Sequence, residues 1–178
     1  TGLQKLKNEM GKYFPRVFVI LGNDDGKQIE AEIMAIEDRG LWEYVHQKKI
    51  EINGYRIFGY NYSPPSPFLL KDWERYDVSR YVDPGCVSPE EGCYTINIPE
   101  HVRKYSTIKI DLDDLVRNEN LEKSIFLFHS PPYQSKLDRA ALDGKFIDHV
   151  PVDVHVGSIA IQRFIEEYQP TLTLHGHI

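Results

Sequence analysis

The chain has 178 residues, 41% of them hydrophobic and 27% charged, which suits one compact domain with a core of ordinary size. It contains no apolar run near the roughly 20 residues of a membrane helix and no basic, apolar, small-residue leader at its start, so a soluble, cytoplasmic protein without membrane contact is expected. A net charge of −6 argues against an extended nucleic-acid surface, which needs Lys and Arg to neutralise phosphates, but leaves small anionic ligands open if cations supply local positive charge.

Leu3, Leu6 and Met10 have helical spacing, which Phe14-Pro15 ends. The apolar run Val17 to Leu21 predicts a buried strand stopping at the polar turn Gly22-Asn23-Asp24-Asp25-Gly26. Ile29, Ile33 and Ile36 then recur on one helical face as far as Gly40. Lys49 to Ile52 and Tyr55 to Tyr60 flank Asn53-Gly54, the dipeptide best suited to the positive φ angles of a tight hairpin. From Ser63 to about Pro99, six prolines and scattered aromatics predict a surface insertion within a single domain spanning residues 1–178. Cys86 and Cys93 read as free thiols.

Ile108 to Val116 reads as a short helix beginning near Asp111, with Asp111, Asp113 and Asp114 capping it or lining a solvated face. Ser124 to Phe128 is a second buried strand, ending at His129-Ser130-Pro131-Pro132. His149 and His155 fall in a loop and read as solvated, and His46 and His101 read as structural. Ser158 caps a helix with Ile161, Phe164, Ile165 and Tyr168 as its apolar stripe, stopped by Pro170. Thr171 to Leu174 is a third short strand, delivering His175-Gly176-His177.

Three strand ends thus carry groups able to hold a metal: Asn23 with Asp24 and Asp25, His129, and His175 with His177. In open α/β sheets, ligands gather at the carboxyl ends of strands, where such groups could converge. Imidazole with amide or carboxylate oxygen is a mixed set suited to Mn, Fe, Zn or Ni, and the chemistry it implies is hydrolytic. Asn23 by itself could equally shape the turn, and a His175–His177 pair is an alternative register for the histidine donors.

Val17 to Asp25 (VFVILGNDD) resembles the G-N-[HD]-[DE] block of calcineurin-like metallophosphoesterases. Phe126 to Tyr133 (FLFHSPPY) resembles that family's strand-end histidine block, and Gly157 to Ile178 resembles the helix and strand leading into its G-H-x-H block. Ile52 to Glu74 is similar to a branch of predicted phosphoesterases. The resemblance implies an α/β fold of the αββα sandwich type, with two mixed sheets face to face. It implies a centre of two divalent ions, manganese favoured, with Asn23, His129 and His177 as ligands and Asp24 and Asp25 near the phosphate of an ester substrate, nucleotides included. Asp24 stands where many members carry histidine. The resemblance further implies aspartate motifs before this sequence and a final histidine after it, so the sandwich and its centre are expected to be incomplete within these residues. A non-catalytic binding or scaffold protein on the same fold is the rival expectation. The oligomeric state is left open.

Overall fold

The structure is a computed structural model and describes residues 2–178. Gly2–Met10 forms helix α1, with no buried side chain. Phe18–Val19 is strand β1, paired in parallel with β2, Glu43–Tyr44. The helical face at Ile29, Ile33 and Ile36 is realised as α2, Glu30–Ala35, with a 3-10 turn at each end. Gly40 closes it in the left-handed region, with φ 61°.

The hairpin forms between β3, Lys49–Ile52, and β4, Tyr55–Tyr60, with Asn53 and Gly54 at φ 50° and 80°. After the proline-rich segment come α3, Glu100–Tyr105, and α4, Ile108–Leu115. Helix α4 starts at Ile108 rather than near Asp111, because the Thr107 hydroxyl accepts from the Ile110 amide and sets the N-terminus there. Ser124–Phe128 is β5, and a short hairpin follows from β6, Phe146–Ile147, to β7, Val150–Pro151. Helix α5, Ile159–Tyr168, is capped by Ser158 and leads to β8, Leu172–His175.

The fold is α/β. Its main sheet has the order β3-β4-β5-β8, mixed because β3 runs antiparallel to β4 while β4, β5 and β8 are mutually parallel. A parallel bridge between His46 and Gly59 joins the β1–β2 pair to the end of β4. The pleat divides each strand between two faces. Phe58 stacks on Phe126 at 4.7 Å and Phe126 on Phe128 at 5.2 Å, and the Phe164 ring of α5 packs edge-on against both Phe126 and Phe128. Ile108 and Leu112 of α4 and Ile161 of α5 complete this core. On the opposite face Ile125 pairs with Leu172 and Leu127 with Leu174, and the two leucines of β8 are 46% and 51% exposed. No helix among the described residues is long and apolar enough to cross a membrane.

The proline-rich segment is exposed at Pro67–Leu69 and Ser79–Tyr81, but its centre enters the core. Trp73 is fully buried within the main cluster, and Tyr76 is nearly so. The turn-forming prolines announce irregular backbone, yet irregular backbone can be buried once its polar groups are bonded. Here Ser63 N–H donates to the Trp73 carbonyl, Lys71 N–H to that of Cys93 and Ile108 N–H to that of Tyr76. Asp77 accepts from Ser158 Oγ at 2.6 Å and from the amides of Ile159 and Ala160, completing the cap of α5. Asp111 also departs from its expected solvated or capping place. It lies on the same helical face as Ile108 and Leu112, buried, and accepts from Tyr60 Oη at 2.6 Å and from Arg75. Asp113 and Asp114 stay exposed and pair with Lys109 and Arg117.

Trp73→Ala is therefore expected to cost about 3–5 kcal/mol, the range for truncating a buried aromatic. Urea unfolding measures it, and a loss below about 1 kcal/mol would return the segment to the status of a surface insertion.

Candidate metal centre

The parallel strands place their carboxyl ends along one edge of the sheet, and side chains from three of these ends meet there. His129 follows β5 directly, held by its N–H donating to the Tyr60 carbonyl. Gly176 N–H donates to the His129 carbonyl, which brings the residues after β8 alongside. Asn23 lies in the turn after β1, where Asp25 N–H donates to the Gly22 carbonyl and the Asp25 carboxylate accepts from Gly22 N–H at 2.9 Å.

His129 Nε2 is 2.8 Å from Asn23 Oδ1 and 3.1 Å from His177 Nδ1, and His177 Nδ1 is 3.0 Å from Asn23 Oδ1. One shared proton can satisfy only part of this triangle, since the amide oxygen only accepts. Asn23 N–H also reaches His129 Nε2 at 3.3 Å. Three potential donor atoms for a metal thus face a common point. Bonds of about 2.1 Å at right angles would set donor atoms about 3.0 Å apart, so the triangle has the dimensions of one face of an octahedral ion's shell. Two imidazoles and one amide oxygen fit a divalent transition metal. Among the described residues no group of three or more His, Cys, Asp or Glu side chains is placed to hold a metal ion, and the third donor here is an asparagine.

Local backbone shapes the site at two points. A Cβ on Gly22 would stand 2.3 Å from His129 Cε1, so only glycine lets the loop lie against the ring. His177 has φ 76°, a left-handed conformation uncommon for a residue with a side chain and concentrated at functional sites.

Both rings are kept neutral, the form that ligates metal. Burial lowers His129 to about 4, with His177 adding to the effect and Asp25 and Asp24 opposing it. Burial also lowers His177, against an opposing pull from Asp24. Asp24 is exposed, and its charge reaches both rings.

Of the residues singled out in the sequence, Asn23, His129 and His177 are brought together. Asp25 braces the turn, and Asp24 is exposed beside it. His175 is engaged elsewhere: its Nδ1–H donates to the Ser130 carbonyl at 3.0 Å, and its Nε2 accepts from the Thr173 hydroxyl at 2.9 Å. Strand alternation puts it on the Phe128 side of the sheet, where it stacks on that ring. His155 bonds the buried Asp138, while His149 is exposed in the β6–β7 turn. Asn61 escaped sequence reasoning. Fully buried after β4, it accepts from Leu21 N–H through Oδ1 and donates from Nδ2 to Tyr44 Oη. Its signal was available, a polar residue ending an apolar strand, as at Asn23 and His129.

In the metal-free chain, the unfolded His129 takes up a proton near the ordinary 6.5, but the folded ring resists protonation until about 4. Its contribution is therefore fully present above about pH 6.5 and is lost as pH falls through that window. Urea unfolding from about pH 7 down to about pH 4 should show a steeper loss of stability than in His129→Gln, and equal slopes would contradict the burial.

No protein-family model and no curated protein matches the sequence. A crystal structure is similar to the chain with a TM-score of 0.52 at 18% identity, covering 99% of this chain and 56% of that one. The likeness is one of fold, and the chain spans little more than half the length of the protein it matches.

Proposed function

We propose that this chain is part of a calcineurin-like metallophosphoesterase, which hydrolyses phosphate esters at a centre of two divalent ions, manganese favoured. The observation that carries the reading is the convergence of Asn23 Oδ1, His129 Nε2 and His177 Nδ1 within 2.8 to 3.1 Å of one another. The apolar face of β5 and β8, half-buried at Ile125 and Leu127 and exposed at Leu172 and Leu174, supports the sandwich, because a second sheet would cover it.

When bound, the ions would lower the pKa of a water nucleophile and offset charge on the phosphoryl oxygens. Asn23, His129 and His177 would hold an ion there. The Asp25 carboxylate fixes Gly22 and, through it, the angle at which Asn23 enters. As the water oxygen joins phosphorus and the ester P–O bond breaks, the departing oxygen needs one proton. Asp24 stands where many members of that family carry histidine, and a carboxylate there could supply this proton only if burial or a like charge kept it protonated. The chain spans little more than half the length of the structure it resembles, so the activity is proposed for the protein that carries this chain.

On that protein, metal analysis and manganese-dependent hydrolysis of an aryl phosphodiester should give two ions and turnover. His129→Ala should lower turnover at least about 100-fold, the order of loss when a group stabilising the transition state is removed. No bound metal and no hydrolysis would favour a binding protein on the same fold.

A further inference from the structure

Four residues beyond Asn23, the chain enters a cavity of about 100 Å³ whose lining includes Lys27, Tyr62, Lys71, Asp72, Arg75 and Arg103. This is room for about three waters, and well below the roughly 300 Å³ at which whole-ligand sites begin, so the space suits one compact group. Its carboxylates are already engaged. Asp72 accepts from the Lys27 and Thr95 amides and from the Thr95 hydroxyl, and Glu74 pairs with Lys71 with both side chains fully buried. Arg75 is held on Asp111.

Two cations remain without a carboxylate among the described residues. Lys27 Nζ donates to Tyr62 Oη at 2.7 Å and lies 4.1 Å from the centre of the Trp73 ring. Arg103 Nε is buried with no hydrogen-bond partner, one of three such side-chain atoms among the described residues. Arg103 nevertheless lines the cavity, where an anionic oxygen would pair with this permanent cation.

We propose that this cavity binds a phosphate-type oxyanion through Lys27 and Arg103, as the seat for a second anionic group on the ester cleaved at the metal centre. The substrate class is then a small molecule carrying two phosphate-type groups. Lys27 lies within about 14 Å of Asn23 by the reach of four residues, a span such a molecule can bridge. The oxyanion site stands on its own cations, while its part in substrate choice rests on the phosphoesterase reading.

The test is a titration of the chelator-treated chain with inorganic phosphate at constant ionic strength, followed by calorimetry and by the Arg103 Nε–H resonance. Saturable binding that moves this resonance is expected, about tenfold or more weaker in Arg103→Gln and in Lys27→Gln and unchanged in His129→Ala. Circular dichroism checks that each variant folds. No saturable binding, or binding unaltered in both cavity variants, would overturn the proposal, even if the protein hydrolyses esters. Binding as described without any hydrolysis would uphold the oxyanion site and count against the phosphoesterase reading alone.

Discussion

Parallel pairing of β4, β5 and β8 is the constraint on which the site depends. Register in this ladder sets Tyr60 level with Phe128 and Phe128 level with His175, so the residues that leave these strands emerge together. A slip of one residue would turn Phe126 and Phe128 out of the core and carry His129 to the other face. The aromatic stack of Phe58, Phe126, Phe128 and Phe164 penalises such a slip. Core packing and donor convergence therefore follow from the same register.

Around the donors, polar groups outside them fix geometry. Asp25 holds Gly22, Asn61 holds Leu21, and Tyr44 passes the Asn61 contact to Glu30 at the head of α2. This chain of bonds ties the loop after β1 to the sheet and to a helix. It limits the movement of a turn which, built from Gly22-Asn23-Asp24-Asp25-Gly26 alone, would be loose.

Much of this was legible in the sequence. Asn53-Gly54 marks the hairpin because few other dipeptides accept two positive φ angles. Strand β5 and helix α5 carry their own periodicity and cap. The candidate donors were visible as polar groups at the ends of apolar runs. The burial of Trp73 was not, because it depends on partners far along the chain, and proline density says only that the backbone is irregular. Strand β2 is too short to show a period. Asp111 looked like one member of an acidic run until the helix turned it toward Tyr60 and Arg75. His175 and His177 have the same composition and spacing as a ligand pair. Only the pleat, which assigns one to the Phe128 side and lets the other leave the strand, separates them.

Asp77 ties two parts of the chain that sequence alone would treat as independent. Its carboxylate, carried by the proline-rich segment, supplies the first turn of α5 with acceptors, and α5 leads directly into β8 and His177. Loop length on either side of this anchor can change at modest entropic cost, because closure entropy rises only slowly with length. The anchor itself cannot shift without freeing the end of the helix. Variation among versions of this chain should therefore concentrate in the exposed turns at Pro67–Leu69 and Ser79–Tyr81, leaving Asp77 and Ser158 as a fixed pair.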